Sequence, residues 1–142
     1  GKKNMGNKLV FLDANILLDI IGANRPEHHE AKELWKMLTI QNYKISISED
    51  ILTNVYYISK EKDKVLEFFK VIQNRWLIFP FGKEVIKSGI ELAIEKNLDL
   101  EDILQCLCAK ENGCGYLITN DKKFYDCGIR IMTTKEFIEH EI

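Results

Sequence analysis

An unbroken apolar run, Leu9-Val10-Phe11-Leu12, stops on a carboxylate at Asp13. Such a run, without alternation and with β-branched and aromatic residues in it, reads as a short strand buried on both faces. A strand of that kind belongs in a parallel sheet with helices on either side. An acid placed where the strand ends lies at the carboxyl edge of the sheet, where open α/β folds bind ligands. Alone, Asp13 has a plain alternative role as the cap of a helix over 15–21. Its weight comes from two later acids that the same fold brings to the same edge.

The chain has 142 residues, which suits a single domain over 1–142, and Gly1 to Asn4 read as an expression remnant ahead of a native start at Met5. A chain of this size buries roughly two-thirds of the surface its unfolded form exposes. With 46% apolar residues and a net charge of −2, the composition is that of an ordinary globular protein without a global basic field. RNA remains admissible as a substrate, because a local basic patch can work beside an acidic metal site. No secretory signal is visible and no apolar stretch reaches the ~18 residues of a membrane span, so a cytoplasmic location without a membrane partner is expected. Cys106, Cys108, Cys114 and Cys127 contain no Cys-x-x-Cys pair, and His28, His29 and His140 are not placed to complete a zinc site. Reduced thiols, some of them buried, are expected instead.

No repeat, linker or low-complexity tract divides the chain. Strand candidates are 9–12, 44–47, 76–79, 116–119 and 130–132, with helical patterns between them. Ala31, Leu34, Trp35 and Leu38 recur at helical spacing, as do Val65, Phe68, Phe69 and Ile72. Ile86, Ile90, Ala93 and Ile94 form a third stripe, and Ile103 with Leu107 a fourth. The aromatic residues in these stripes read as core rather than as base-stacking surfaces. The alternation predicts an α/β protein, a three-layer α/β/α sandwich around a central, mostly parallel sheet of 4–5 strands.

In that fold Asp13 ends the first strand and Asp121 the fourth. Asp102 lies in the first turn of the helix leading into the fourth strand, and a right-handed crossover starts that helix above the same carboxyl edge. Converging carboxylates repel one another unless a cation neutralises them. Hard oxygen ligands suit Mg²⁺ or Mn²⁺, and such an ion activates water and stabilises a phosphoryl transition state. Metal-dependent phosphodiester hydrolysis follows as the physical reading. Competing structural roles exist: Asp99 is placed as an N-cap, Asp102 suits a helix N-terminus, and Asp121 could cap a short final helix.

At this point the chain resembles the PIN-domain family of nucleases, in particular the VapC-like ribonuclease toxins of bacterial toxin–antitoxin pairs. Phe11-Leu12-Asp13-Ala14-Asn15 resembles the family's opening Asp-x-Asn motif. Asp99-Leu100-Glu101-Asp102-Ile103 resembles its third block, Leu117-Ile118-Thr119-Asn120-Asp121 its Thr-x-Asp block, and Ile131 to Phe137 its closing strand and helix. One block departs: Asn54 stands where the family usually carries a Glu, with Asp50 one helical turn earlier on the same face. Ser48 reads as the N-cap of that helix.

The resemblance implies an RNA-cleaving enzyme with one or two divalent ions, Mg²⁺ or Mn²⁺. It implies metal-ligand and catalytic roles for Asp13, Asp102 and Asp121, with Asp99, Asp50 and Asn54 as further candidate ligands. Asn15 and Thr119 are expected to orient the carboxylates by hydrogen bonds. Lys122, Lys123 and Arg25 are expected to contact RNA phosphates, with Lys60 and Lys62 as further candidates. A homodimer is implied, its face sought on Ala31–Leu38 and Val65–Ile72, together with a small antitoxin whose basic side chain enters the acidic pocket. Receiver-like and aspartyl-phosphatase-like readings fail on residues: Asn15 replaces the second Asp of a phosphatase, and Phe11-Leu12 occupies the place of a receiver's acidic pair. The alternative that stays open is a PIN-like domain that has lost catalysis and serves as an RNA- or protein-binding module.

Overall fold

Each segment expected to form a strand does so in the computed structural model of the chain, which describes residues 8–141. The expectation about Gly1 to Asn4 lies outside the described residues. Strands β1 (Leu9–Leu12), β2 (Lys44–Ser48), β3 (Leu77–Phe79), β4 (Tyr116–Ile118) and β5 (Arg130–Met132) form one sheet in the order β3-β2-β1-β4-β5, parallel throughout. Helices α1 (Ala14–Ile21) and α2 (His28–Ile40) follow β1, and α3 (Glu49–Ile58) and α4 (Lys62–Ile72) follow β2. Next come α5 (Lys83–Lys96) and α6 (Leu100–Glu111) after β3, then α7 (Thr134–Glu141) after β5.

The chain winds outward from β1 to β3 and then returns to the other side of β1. Strand order therefore reverses between β1 and β4, the switch point at which open parallel sheets form a crevice. Val10, Phe11 and Leu12 are fully buried at the centre, as a strand covered on both faces requires. Trp35 packs edge-to-face on Phe68 and on the buried Trp76, with ring centroids 5.3 and 6.1 Å away, so these aromatic rings pack together against the core.

Two boundaries and one face differ from expectation. Trp76 does not begin the third strand: its N–H returns to the Ile72 carbonyl at 2.8 Å and closes the end of α4. Thr119 lies just past β4, although its N–H still donates to the Met132 carbonyl at 3.0 Å. On α5 the stripe of Ile86, Ile90 and Ile94 faces solvent, Ile94 being 79% exposed, while Val85 and Gly89 are buried. The reason is Gly89. A Cβ there would stand 2.6 Å from Leu104 Cδ2, so the glycine face is the one that α6 approaches. A residue without a side chain carries no hydrophobic signal, and the three isoleucines masked the true packing face. On the helices named for a dimer face, Ala31, Leu34, Leu38, Val65 and Ile72 are buried, while Lys32, Glu33, Lys36, Leu66, Glu67, Lys70 and Val71 are exposed. Among the described residues no helix is long and apolar enough to cross a membrane.

Candidate active site

Asp13 follows the last residue of β1 and caps α1, its Oδ1 accepting from the Ala14 N–H at 2.9 Å. Its second oxygen accepts from the Thr119 hydroxyl at 2.7 Å and from Asn15 Nδ2 at 3.0 Å. Asn15 Nδ2 also reaches Thr119 Oγ1 at 3.3 Å. The side chain is buried, 9% exposed, with both oxygens fixed in direction. Burial pushes the Asp13 carboxyl above its ordinary range, and the charge of Asp121 adds to this, against the hydrogen bonds from Thr119, Ala14 and Asn15.

Asp121 is exposed and begins the connection 121–129. Its N–H donates to Thr119 Oγ1 at 3.1 Å, and its Oδ1 accepts from the Lys123 N–H at 2.9 Å. That is a turn held by an aspartate side chain, and no helix follows for it to cap. Asp99 is the N-cap of α6, accepting from the Asp102 N–H at 3.0 Å, which occupies one of its oxygens. Asp102, in the first turn, has its carboxyl pushed up to about 7, first by burial and then by the charges of Asp99, Asp13, Asp121 and Glu101. These mutual influences place the three acids within electrostatic reach of one another at the switch point.

A second group of residues joins α3 to α6. Ser48 caps α3 by accepting from the Ile51 N–H at 3.3 Å, and its hydroxyl donates to Gln105 Oε1 at 2.7 Å. Gln105, fully enclosed, donates from Nε2 to Asp50 Oδ2 at 3.0 Å. Asn54 Nδ2 donates to the same Asp50 oxygen at 3.0 Å and to Glu101 Oε1 at 3.0 Å. Glu101 was not among the expected site residues. Its carboxyl is raised by burial and by the charges of Asp50, Asp13 and Asp99. The available signal was its place in Asp99-Leu100-Glu101-Asp102, but a carboxylate in a first helical turn reads equally as dipole compensation.

Among the expected phosphate contacts, Lys122 and Lys123 are exposed beside Asp121. Together with Thr119, Phe124, Ile131, Met132 and Lys135, Asp121 and Lys122 border a groove of about 540 Å³. Arg25 is placed elsewhere. Its Nε lies 2.7 Å from Oδ1 of the buried Asp19, and with Lys60 it lines a cleft of about 190 Å³ past the carboxyl ends of α1 and α3. Those helices carry Asp13 and Asp50 at their opposite ends. Lys62 donates to the Tyr56 and Ser59 carbonyls at 2.7 and 3.1 Å and so closes α3.

The expectation of four reduced thiols is overturned: Cys106 and Cys127 are joined in a disulfide, while Cys108 and Cys114 are free and buried. The connection after Asp121 folds back on α6, where Cys127 N–H meets Cys106 Sγ at 3.3 Å and Lys110 Nζ donates to the Cys127 carbonyl at 3.1 Å. Pairing of this kind depends on the path of a loop and cannot be deduced from cysteine spacing.

The donors at the switch point are all hard oxygens, the chemistry that Mg²⁺ and Mn²⁺ select. Among the described residues the ion pairs are Arg25–Asp19, Lys64–Glu61 and His140–Glu141, none of which neutralises the cluster. No three of the His, Cys, Asp and Glu side chains among the described residues already surround one point. Such donors could hold a hard divalent ion through a carboxylate, with waters completing its shell.

Comparison with known proteins agrees with this fold. The description of the PIN domain matches residues 10–129. Ribonuclease VapC1 of Aquifex aeolicus (strain VF5) is 39% identical over 139 residues, covering 95% of this chain and 96% of the relative. Among solved structures, VapC20 of Mycobacterium tuberculosis, a toxin that cleaves the sarcin-ricin loop, superposes with a TM-score of 0.70 at 12% identity, covering 84% of this chain and 95% of the other. VapBC2 of Rickettsia felis, solved bound to a promoter DNA fragment, gives 0.68 at 22% identity, with 88% and 98% covered. At those identities the structures speak for the fold, while the domain match and the Aquifex relative span nearly the whole chain. This protein belongs to the PIN-domain family.

Proposed function

We propose that the chain is a single-domain, divalent-metal-dependent endoribonuclease of the cytoplasm, acting as the toxin of a toxin–antitoxin pair. The observation that carries this reading is Asp13, a buried carboxylate fixed by Thr119 and Asn15 at the switch point and electrostatically coupled to Asp102 and Asp121. The Aquifex relative bears the name ribonuclease, and similar structures come from toxin–antitoxin complexes, which supports RNA and an antitoxin as partners. A homodimer accords with the family analogy.

In this reading Asp13, Asp102 and Asp121 hold Mg²⁺ or Mn²⁺, directly or through water, with Asp50 and Asp99 behind them. A bound ion of this kind supplies an activated water and stabilises charge on the phosphoryl group. Asn15 and Thr119 keep Asp13 aimed at the crevice, and Lys122 and Lys123 meet the phosphates of the strand. Because Asn54 is neutral, Mn²⁺ is expected to serve better than Mg²⁺, following the usual affinity order.

The test is Mn²⁺-dependent cleavage of a total RNA pool, beside an Asp13→Asn control. Asn is as good an N-cap as Asp, so this variant removes the charge and keeps the start of α1, whereas Asp13→Ala would remove both. Cleavage is expected to need the metal and to fall by at least about a hundredfold in the control. No cleavage by the folded wild-type chain would favour the second reading, a PIN domain that binds RNA or protein without cutting, for which Asn54 is the motivating residue.

A further inference from the structure

We propose that the Cys106–Cys127 disulfide is a thiol-operated latch on the connection 121–129, and that opening it slows RNA cleavage. The proposal rests on the metal-dependent nuclease reading given above. Its basis is where the two sulfurs sit. Cys106 lies in α6 one helical turn beyond Asp102, and Cys127 lies in the connection that Asp121 begins. One covalent bond therefore joins the helix carrying one proposed ligand to the loop carrying another.

That loop has few other ties. It contains neither helix nor strand. The N–H groups of Lys123, Phe124 and Gly128 are all bonded locally, to Asp121 Oδ1, the Asp121 carbonyl and Asp126 Oδ1. From Lys122 to Gly128, among the described residues, the hydrogen bonds that reach another element both fall on Cys127: its N–H meets Cys106 Sγ and its carbonyl accepts from Lys110 Nζ. Phe124 and Tyr125 add the packing of two half-buried rings. A disulfide acts largely by denying a loop its freedom. Breaking this one returns freedom to the stretch bearing Lys122 and Lys123, and to Asp121 at its root.

Cys106 is fully buried while Cys127 is half-buried, so a small thiol reaches the Cys127 sulfur first. Its thiolate attacks Cys127 Sγ and forms a mixed disulfide. Cys106 leaves with the electron pair of the broken bond and takes up a proton. A second small thiol then attacks the mixed disulfide, releases Cys127 as a thiol, and departs joined to the first. Two small thiols are thus oxidised to their disulfide as the protein bond is reduced, and the small disulfide reverses the sequence. Cys108 and Cys114 stay out of the exchange, because they are buried and burial pushes both thiols up. In a reducing compartment such as the cytoplasm proposed above, a disulfide is usually a transient, switched bond.

The experiment uses the full chain, reduced with glutathione or oxidised with its disulfide and then freed of reagent, beside Cys127→Ala. That variant opens the latch and leaves the core sulfur of Cys106 in place. Thiol titration in denaturant verifies the two states, and thermal midpoints verify that every chain folds. Limited trypsin digestion reads the loop, since Lys122 and Lys123 lie in it, and Mn²⁺-dependent cleavage of total RNA reads the site. Reduction is expected to speed cutting after these lysines several-fold. It is expected to slow RNA cleavage by about tenfold or more, because small displacements of positioning groups are that costly. Reoxidation should restore the wild-type rate, and Cys127→Ala should match the reduced chain after either treatment. Equal RNA cleavage by the oxidised and reduced chains overturns the proposal, as does faster cleavage by the reduced one. Trypsin cutting that ignores reduction overturns the latch, and so does Cys127→Ala cleaving RNA like the oxidised chain. No Mn²⁺-dependent cleavage by the oxidised chain removes the nuclease reading and this inference with it.

Discussion

At Asp102 the balance of charge sets a pH dependence that a bound ion should reverse. Burial and four neighbouring acids push its carboxyl from 3.8 to about 7, and Asp13 and Glu101 move in the same direction. When the folded pKa lies above the unfolded one, the folded state holds the extra proton. The stability this contributes is whole below about pH 4 and is lost as pH rises through about 7. In chelator, the thermal midpoint is therefore expected to fall between about pH 5 and pH 7.5. Adding Mn²⁺ at the higher pH should restore it, because an ion bound only by the folded state stabilises that state. A midpoint that rises over this interval in chelator, or ignores Mn²⁺ at the upper end, would contradict the coupling of these acids. Arg25 gives a second test. Its guanidinium satisfies the buried Asp19, so Arg25→Ala is expected to cost ~1–3 kcal/mol in urea unfolding and to leave the cleavage rate of the folded enzyme unchanged. Asp13, Asp102, Asp121 and the capping Asp99 were legible because each sits where an element begins or ends. Glu101 was not, since its partner Asn54 comes from a distant helix, and Arg25 was misplaced because proximity in sequence to Asp13 did not survive the length of α1.

Helix pairs, more than single residues, hold the centre in shape. The α3–α6 pair is tied through Gln105, which is buried and shared between Ser48 and Asp50. Gln105→Leu conserves volume but strips partners from an enclosed hydroxyl and from a carboxylate. It is expected to destabilise the fold by ~1–3 kcal/mol in chemical denaturation and to weaken Mn²⁺ binding as well. Stability lost with metal affinity intact would show Gln105 to be part of the core only. The α5–α6 pair shows why one face of the molecule misleads. Spacing alone put Ile86, Ile90 and Ile94 inward, but the approach at Gly89 turns the helix by one position. Periodicity reports where apolar residues recur, and a helix packed through a glycine breaks the assumption that the largest residues mark the contact. The stripes of α2 and α4 were legible because their aliphatic members are buried and their aromatic rings pack against the core.

For the whole molecule, the parallel sheet, though not its strand order, was legible from strands alternating with helices, since parallel neighbours need crossovers. The Cys106–Cys127 disulfide was not, since it depends on a loop returning to α6. That sheet also governs when the centre can exist. The Thr119 hydroxyl reaches Asp13 across a separation of 106 residues, and Asp121 arrives only with the same segment. Parallel pairings between distant segments form late, after the entropy of closing long loops has been met. A growing chain that has delivered β1, β2 and β3 already has much of its core, yet Asp13 has neither its hydroxyl partner nor its second acid. A chain at that stage lacks the assembled centre. Competence comes as a late event, when β4 slides in beside β1 and Thr119 meets Asp13.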